Sequence, residues 1–536
     1  MSEDKLGFDF GANKEITGDD YDASLAVTCE NGTFVGRHVG GCVAWLGIPF
    51  AKPPVGELRW EKPVPCDPST KVFEAYNYGL KPVQFVPTEG MGEDCLNLNI
   101  AHAEDAPQGK KPVMVWIHGG GFMNESASDN LYLPYKFVAN NPDVLFVSIE
   151  YRLGIFGFLT FDGFPGGEDY DYTGVLGLFD QIAALRWIKN NIAAFGGDPD
   201  NITIYGESAG GISISLLPVF PEAKGLFNRC VPMSGSAAYT FTKDDRRFVT
   251  ENLVDKTGCK NIEELKSLSV EELTKDYWEI SGGPNCYSPI RDDVYLPINI
   301  EELMEKWAES VKDIDVLTGF VRNEARYALS SALGINEEQA ESFFRNTHEA
   351  TKKRVSAQDM EVAEAYMREF PEGEEWKTME RMYSMVGFGF PSLVHANALA
   401  DKGNIWAYES ALPAEMDSAA AFHGSELAYL FHHDDAMGAV GRNDDLTYQR
   451  INEVQEILVS FASTGVPSLN GQAFKKYDSK DRAIILIDRD DIRTVDHYRD
   501  KDVELLMPLL QNTYWFTYES FSLDWGKVDE ELRPEF

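Results

Sequence analysis

Asn201-Ile-Thr-Ile-Tyr-Gly206-Glu207-Ser208-Ala209-Gly210-Gly-Ile212 decides the fold, because it sets a serine between two glycines at the end of an apolar strand. A bare G-x-S-x-G is weak evidence in a chain of 536 residues. Its flanks strengthen it. Asn201 to Tyr205 alternates like a short buried strand, and Ala209 to Leu217 can begin a helix at once, which gives the strand, turn and helix of a nucleophile elbow. A serine oxygen reaches a carbonyl only if the backbone turns sharply beneath it. Gly206 and Gly210 remove the side chains that would clash in that turn.

Outward from this turn, apolar runs alternate with helical patterns. Val113–Ile117, Val144–Ser148, Ile202–Ile204, Arg229–Val231, Asp315–Leu317 and Ile405–Tyr408 read as inner strands buried on both faces. Between them, Gly177 to Phe195 carries Leu178, Ile182, Leu185, Ile188 and Ile192 at helical spacing, as a mainly parallel sheet requires. Asn31-Gly32 reads as the two-residue turn of a hairpin near the start of the chain. The expectation is one α/β domain over 1–536, a large, mostly parallel sheet with an antiparallel N-terminal start and flanking helices. Polar helical insertions, at about 243–312 and 325–400, are expected to shape the substrate entrance. No linker, repeat or low-complexity stretch divides the chain.

A formal net charge of -39, from 48 Lys plus Arg against 87 Asp plus Glu, argues against nucleic acid or an anionic membrane as partner. No apolar run is long enough to span a bilayer, and the first residues show no secretory signal. Seven scattered cysteines without a C-x-x-C pair read as reduced thiols, and so the expected location is the cytoplasm. For the same reason the N-x-[ST] sites at Asn31, Asn124 and Asn201 carry little weight.

Ser208 needs an oxyanion site, a base and an acid. His118-Gly119-Gly120-Gly121-Phe122 follows the strand ending at Ile117, and its bare backbone N–H groups can close on a developing negative charge. Nine histidines compete for the role of base, and the chain order of this architecture, serine then acid then histidine, selects His423 on a loop after the strand at Ile405–Tyr408. His395, in a helical stretch, and His432-His433-Asp434, at a helix end, read as surface or capping residues, and His118 as a residue that orients the glycine loop. Glu324 leaves the strand at Asp315–Leu317 and supplies the acid, a carboxylate that fixes the imidazole tautomer. Activity is then expected to fall as pH drops through about 6 to 7.

The ordered set of motifs resembles the type B carboxylesterases, the esterases, lipases and cholinesterases of α/β-hydrolase fold, and in particular the bacterial nitrobenzyl-esterase type. The resemblance rests on Trp45-Leu-Gly-Ile-Pro-Phe-Ala-Lys-Pro-Pro-Val-Gly-Glu-Leu-Arg59-Trp60, Glu93-Asp-Cys-Leu-Asn-Leu-Asn99, His118–Phe122, Phe195-Gly-Gly-Asp-Pro199, Gly206–Gly210 and His423-Gly424. It implies a Ser208, Glu324 and His423 triad, oxyanion donors on Gly120, Gly121 and Ala209, and Ser234 as support for the acid. It also implies buried pairs Arg59 with Glu93 and Arg152 with Asp180 around the site. The implied partners are a small-molecule ester and water, with no metal or organic cofactor, while the oligomeric state stays unknown. Lipase, amidase or carbamate hydrolase activity on the same triad is the alternative, and a noncatalytic adhesion role is a distant one.

Departures from the family pattern refine the expectation. Tyr78-Gly-Leu-Lys-Pro-Val-Gln84 lacks the cysteine that secreted members pair with the equivalent of Cys95, and Cys259 lacks its usual partner, which implies free thiols. The loop from Gln84 to Glu93 has no tryptophan to hold a choline cation. Asn323-Glu324-Ala325 replaces the usual Asp-Glu-Gly, and the small-sided Gly282-Gly-Pro-Asn285-Cys286 implies an open acyl pocket. Glu207 is expected to make contacts behind the elbow rather than serve as the triad acid.

Overall fold

The computed structural model describes residues 9–11, 13–282, 287–326, 337–413, 420–432 and 444–512. Its principal element is an 11-stranded sheet. Numbered in chain order, the strands are β1 Arg37–Val39, β2 Cys42–Pro49, β3 Asn97–Ala103, β4 Lys111–Ile117, β5 Leu145–Ile149 and β6 Gly197–Glu207. They continue with β7 Arg229–Met233, β8 Asp315–Val321, β9 Asn404–Ser410, β10 Ile484–Ile487 and β11 Ile492–Val495. Across the sheet they run β11-β10-β9-β8-β7-β6-β4-β5-β3-β2-β1. The run from β5 through β10 is parallel, whereas β1, β2, β3 and the far edge β11 pair antiparallel. All six inner strands read from the sequence are present.

Period-two alternation assigns the strand side chains to two apolar layers. Val113, Val115, Ile117, Ile202 and Ile204 face one layer, where helices Leu176–Asn191 and Ala209–Leu216 cover them. Met114, Trp116, Tyr205 and Val231 face the other, beneath helices Tyr135–Asn140, Glu426–Phe431 and Asp445–Thr464. Burial on both faces explains why these strands read as continuous apolar runs.

Two expectations about local structure change. The hairpin pairs Cys29 with Gly32, so its turn is Glu30-Asn31, one residue earlier than the Asn31-Gly32 signal suggests. The cause is the side chain of Asn31, which is buried, donates to the Pro49 carbonyl at 2.7 Å and accepts from Trp187 Nε1 at 3.0 Å. In the second polar region, helices Glu337–Thr351, Ala357–Glu369 and Glu375–Ser384 form as expected. The next helix, Phe390–Leu399, packs on β8 and β9 and so belongs to the cover of the sheet.

At the elbow, backbone meets backbone. β4 and β6 pair so that Ile117 lies opposite Gly206, and the helix after Ser208 starts directly over that pair. A Cβ on Gly210 would lie 2.0 Å from the Ile117 carbonyl oxygen, and one on Gly206 would lie 2.4 Å from it. Gly210→Ala therefore should abolish stable folding or cost more than about 4 kcal/mol. Gly225→Ala, with nothing within 4 Å and a φ of +79, should cost about 1 kcal/mol. Urea unfolding of the two variants checks the contrast.

Candidate active site

Five loops meet at the C-terminal ends of β4, β6, β7, β8 and β9, where parallel α/β sheets bind their ligands. Ser208 follows β6 with φ 56 and ψ -121, a strained conformation for a side chain other than glycine. Its N–H donates to the Met233 carbonyl at 3.0 Å, and its carbonyl accepts from Ile212 N–H at 2.8 Å, which over-determines the turn. Between buried Glu207 and buried Ala209, Ser208 is half-exposed. It also precedes a helix N-terminus, whose dipole favours negative charge.

Gly119, Gly120 and Gly121 follow β4, with φ 84 at Gly120 and φ 62 at Gly121. Both Gly120 and Gly121 are half-exposed, and their N–H groups donate to no acceptor among the described residues. His118 is fully buried, stacks on Tyr151 with centroids 4.4 Å apart and lies 3.5 Å from Glu150. Tyr151 O–H donates to the His118 carbonyl at 2.9 Å. His118 thus anchors the glycine loop, as expected.

Glu324 is fully buried one turn beyond β8. Its Oε1 accepts from Ser234 O–H at 2.6 Å and from Val321 N–H at 2.8 Å, and its Oε2 meets His423 Nδ1 at 2.6 Å. Asn323 and Arg326 on either side both bond Glu380, and Ala325 N–H donates to Ser384 Oγ. Helix Glu375–Ser384 therefore clamps the turn that carries Glu324. Ser234 follows β7 with φ 46 and donates its own N–H to the Gly319 carbonyl at 2.8 Å.

His423 is buried between two carboxyl groups, with Glu324 on Nδ1 and Glu207 Oε1 3.1 Å from Nε2. Burial alone would push the imidazole down, but Glu207 and Glu324 outweigh it and raise it to about 9. Burial also pushes the Glu207 carboxyl up to about 8; His423 opposes the rise, and Glu125 and Glu324 add to it. Glu426 is likewise pushed up to about 8, by burial and then by Glu324 and Glu207. Glu207 and His423 therefore titrate as a pair, each shifting the other.

Sequence reasoning missed several residues here. Phe388, on a π-helical turn at Met385–Gly389, stacks on His423 with centroids 4.4 Å apart. Nothing in the local pattern announces a π turn. Glu426 stands three residues after His423, a spacing that could have drawn attention. His395 corrects the surface assignment, being fully buried in helix Phe390–Leu399 and stacked on Trp307 with centroids 4.3 Å apart. Burial holds its imidazole down at about 3, and its Nε2 accepts from Ala237 N–H at 3.3 Å, which braces the loop carrying Ser234. His432 is the C-cap of helix Glu426–Phe431, as expected of a helix end. His433-Asp434 and 283–286 of the acyl-pocket stretch lie outside the described residues.

The two expected ion pairs form at the margins. Arg59 binds Glu93 through two bonds of 2.6 and 2.7 Å, and its remaining nitrogen caps the C-terminus of helix Ile262–Ser267. Arg152 binds Asp180 through Nε at 2.8 Å and Nη2 at 2.7 Å. Cys29, Cys42, Cys66, Cys95, Cys230 and Cys259 are free, while Cys286 lies outside the described residues.

With this geometry in view, the profile of the carboxylesterase family matches residues 23–506. The chain belongs to the carboxylesterase family. It is similar to the para-nitrobenzyl esterase of Bacillus subtilis (strain 168), at 32% identity over 483 residues, covering 86% of this chain and 94% of the relative. An acetylcholinesterase of Leptinotarsa decemlineata is 30% identical over 496 residues, covering 81% of this chain and 77% of the relative. Among solved structures, the Geobacillus stearothermophilus carboxylesterase EST55 superimposes with a TM-score of 0.76 at 33% identity, covering 90% of this chain and 99% of that one. The fold is the α/β-hydrolase fold, and this carboxylesterase-family chain is a carboxylic ester hydrolase.

Breaking the Arg152–Asp180 pair should destabilise the fold strongly. Arg152→Met leaves Asp180 as an uncompensated buried charge, at an expected cost of about 3–5 kcal/mol. Lys52→Met, whose partner Asp67 is exposed at 2.9 Å, should cost less than about 1 kcal/mol. Chemical denaturation compares them.

Proposed function

We propose that this chain hydrolyses carboxylic esters of small to medium size through an acyl-enzyme on Ser208, with His423 as base and Glu324 as the acid that orients it. The observation that carries this reading is the 2.6 Å contact between Glu324 Oε2 and His423 Nδ1, on loops neighbouring the strained Ser208 turn. With Nδ1–H directed at Glu324, the neutral imidazole presents its Nε2 lone pair for the serine proton.

As Ser208 Oγ attacks the ester carbonyl, its proton passes to His423 Nε2. The N–H groups of Gly120, Gly121 and Ala209 hold the tetrahedral oxyanion, at about 3 to 4 kcal/mol for each donor. Collapse expels the alcohol with the proton from His423. Water then attacks the acyl-serine by the same route and releases the acid. Ser234 holds the far oxygen of Glu324, and Phe388 fixes the face of the imidazole.

Nitrobenzyl and nitrophenyl esters are the first substrates to test, by analogy with the para-nitrobenzyl esterase relative. Choline esters are disfavoured, because Gln84–Glu93 contributes no tryptophan. The free thiols among the described cysteines support a reducing compartment, the cytoplasm. No helix among the described residues is long and apolar enough to cross a membrane.

Ser208→Ala should remove ester turnover and organophosphate labelling while thermal unfolding stays near that of the parent. Retained turnover would take Ser208 out of the mechanism. A panel of nitrophenyl esters of rising acyl length, with a triglyceride and an anilide, should show turnover concentrated in the short and medium esters; an anilide or triglyceride preference would replace the esterase reading. The acid limb of kcat/KM should lie above the ordinary histidine range. A raised imidazole stays protonated to higher pH, so the base form, and with it activity, appears only as pH climbs through that raised value. A limb at or below pH 6.5 would contradict this assignment.

A further inference from the structure

Glu125 lies in the loop after the glycine run at φ 70, and both sides of its backbone are strapped to Gln84. Its N–H donates to Gln84 Oε1 at 3.1 Å, and its carbonyl accepts from Gln84 Nε2 at 2.9 Å. The half-buried side chain turns toward the elbow, where Tyr132 O–H donates to Glu125 Oε2 in a short contact. A Cβ placed on Gly119 would lie 3.2 Å from Glu207 Oε2 and 3.3 Å from Glu125 Oε2, so the two carboxyl groups flank the same glycine. Glu207 thus has Oε2 against the Gly119 backbone that Glu125 Oε2 also lines, and Oε1 toward His423 Nε2.

This arrangement poses a difficulty for the proposed base. An ionised Glu207 would hold His423 as an imidazolium at the nitrogen that must accept the serine proton. Two like charges in a poorly solvated site do not both persist, and the group with the better hydrogen-bond donor keeps the charge. Burial disfavours charge on both, but Tyr132 donates to Glu125, whereas Glu207 Oε1 has no hydrogen-bond donor among the described residues. We propose that Glu125 is a positioning residue whose carboxylate, anchored by Tyr132, keeps a proton on Glu207 and thereby lets His423 reach its base form at lower pH than an ionised Glu207 would allow. The proton rests on Glu207 Oε2, facing Glu125, and the Glu207 Oε1 carbonyl accepts from Nε2–H once the imidazole is protonated. The inference rests on the reading of His423 as base.

Other titratable groups enclose the pair. His423 and Glu324 face Glu207 from the loops after β9 and β8, Tyr132 faces it from the loop with Glu125, and Tyr408 and Glu426 face it from β9 and the helix behind. Glu125 is faced by Tyr132, Asp129, His118 and His423. Lys81 neutralises Asp129 at 2.7 Å, and Glu150 lies on His118. Glu125 therefore supplies the negative charge beside Glu207 from the glycine-loop side.

Profiles of kcat/KM against pH for Glu125→Gln, Glu207→Gln and the double variant, with a neutral nitrophenyl ester, test the proposal. Glu125→Gln lets Glu207 ionise and should move the acid limb up by about one pH unit, a tenfold loss near neutrality that is recovered at high pH. Glu207→Gln, which fixes Glu207 in the neutral state, should leave the limb near that of the parent, and the double variant should follow Glu207→Gln. An equal loss at every pH in Glu125→Gln, or additive shifts in the double variant, would overturn the proposal. If Glu125→Gln does not fold by near-ultraviolet circular dichroism, Tyr132→Phe replaces it and should move the limb in the same direction by less; no shift would overturn the proposal. Turnover in Ser208→Ala, or a parent profile without an acid limb, would instead defeat the proposed function.

Discussion

Everything at the catalytic end of the sheet depends on how closely the backbones of β4 and β6 approach at Ile117. The carbonyl oxygen of that residue occupies the space where side chains at Gly206 and Gly210 would be, and the chain can pass only as bare backbone. Once it does, Ser208 must take up its strained conformation and stand half-exposed above buried neighbours. Gly211 and Gly235 continue the same theme, since a Cβ on Gly211 would lie 2.4 Å from the Met233 carbonyl and one on Gly235 2.3 Å from Gly211. The turn carrying Ser208 and the turn carrying Ser234 are therefore packed backbone to backbone, and the position of the proposed acid is tied to that of the serine.

Electrostatics then takes over from sterics. Four carboxyl groups, Glu125, Glu207, Glu324 and Glu426, influence one buried imidazole from different elements. They are not equivalent. Glu324 is supplied with donors from Ser234, Val321 and His423, which suits an anion, whereas Glu207 and Glu426 have little to hold a charge and are pushed toward the neutral acid. The allocation of charge among them follows from hydrogen-bond supply, and residue type alone would not reveal it.

That difference marks the limit of what the sequence discloses. Ser208, Glu324 and His423 could be read as candidates because each comes after a strand whose apolar run is plain and the three stand in the chain order serine, acid, histidine, whereas Ser234 came from the family pattern. The pairs at Arg59 and Arg152 were legible through family motifs. Glu125 was not, because its relation to Glu207 depends on a left-handed backbone and on a tyrosine seven residues on. His395 was misassigned because helical spacing does not say which side of Phe390–Leu399 meets the sheet. The hairpin moved by one residue because the core draws in the Asn31 side chain, a long-range demand that outweighs the local turn preference.

The π-helical turn at Met385–Gly389 has a bearing on how this region can vary. A π turn holds one residue more than an α turn, so helix Glu375–Ser384 and helix Phe390–Leu399 join through a local bulge of one residue. The wider winding of the π turn takes up its extra residue, so losing one residue would return the segment to α geometry with the helix that follows facing nearly the same way. His395 would keep its place against Trp307 and the Ser236–Ala237 loop, whereas Phe388, inside the bulge itself, would shift from the imidazole. The facing of helix Phe390–Leu399 therefore does not depend on the extra residue, but the ring that covers His423 does.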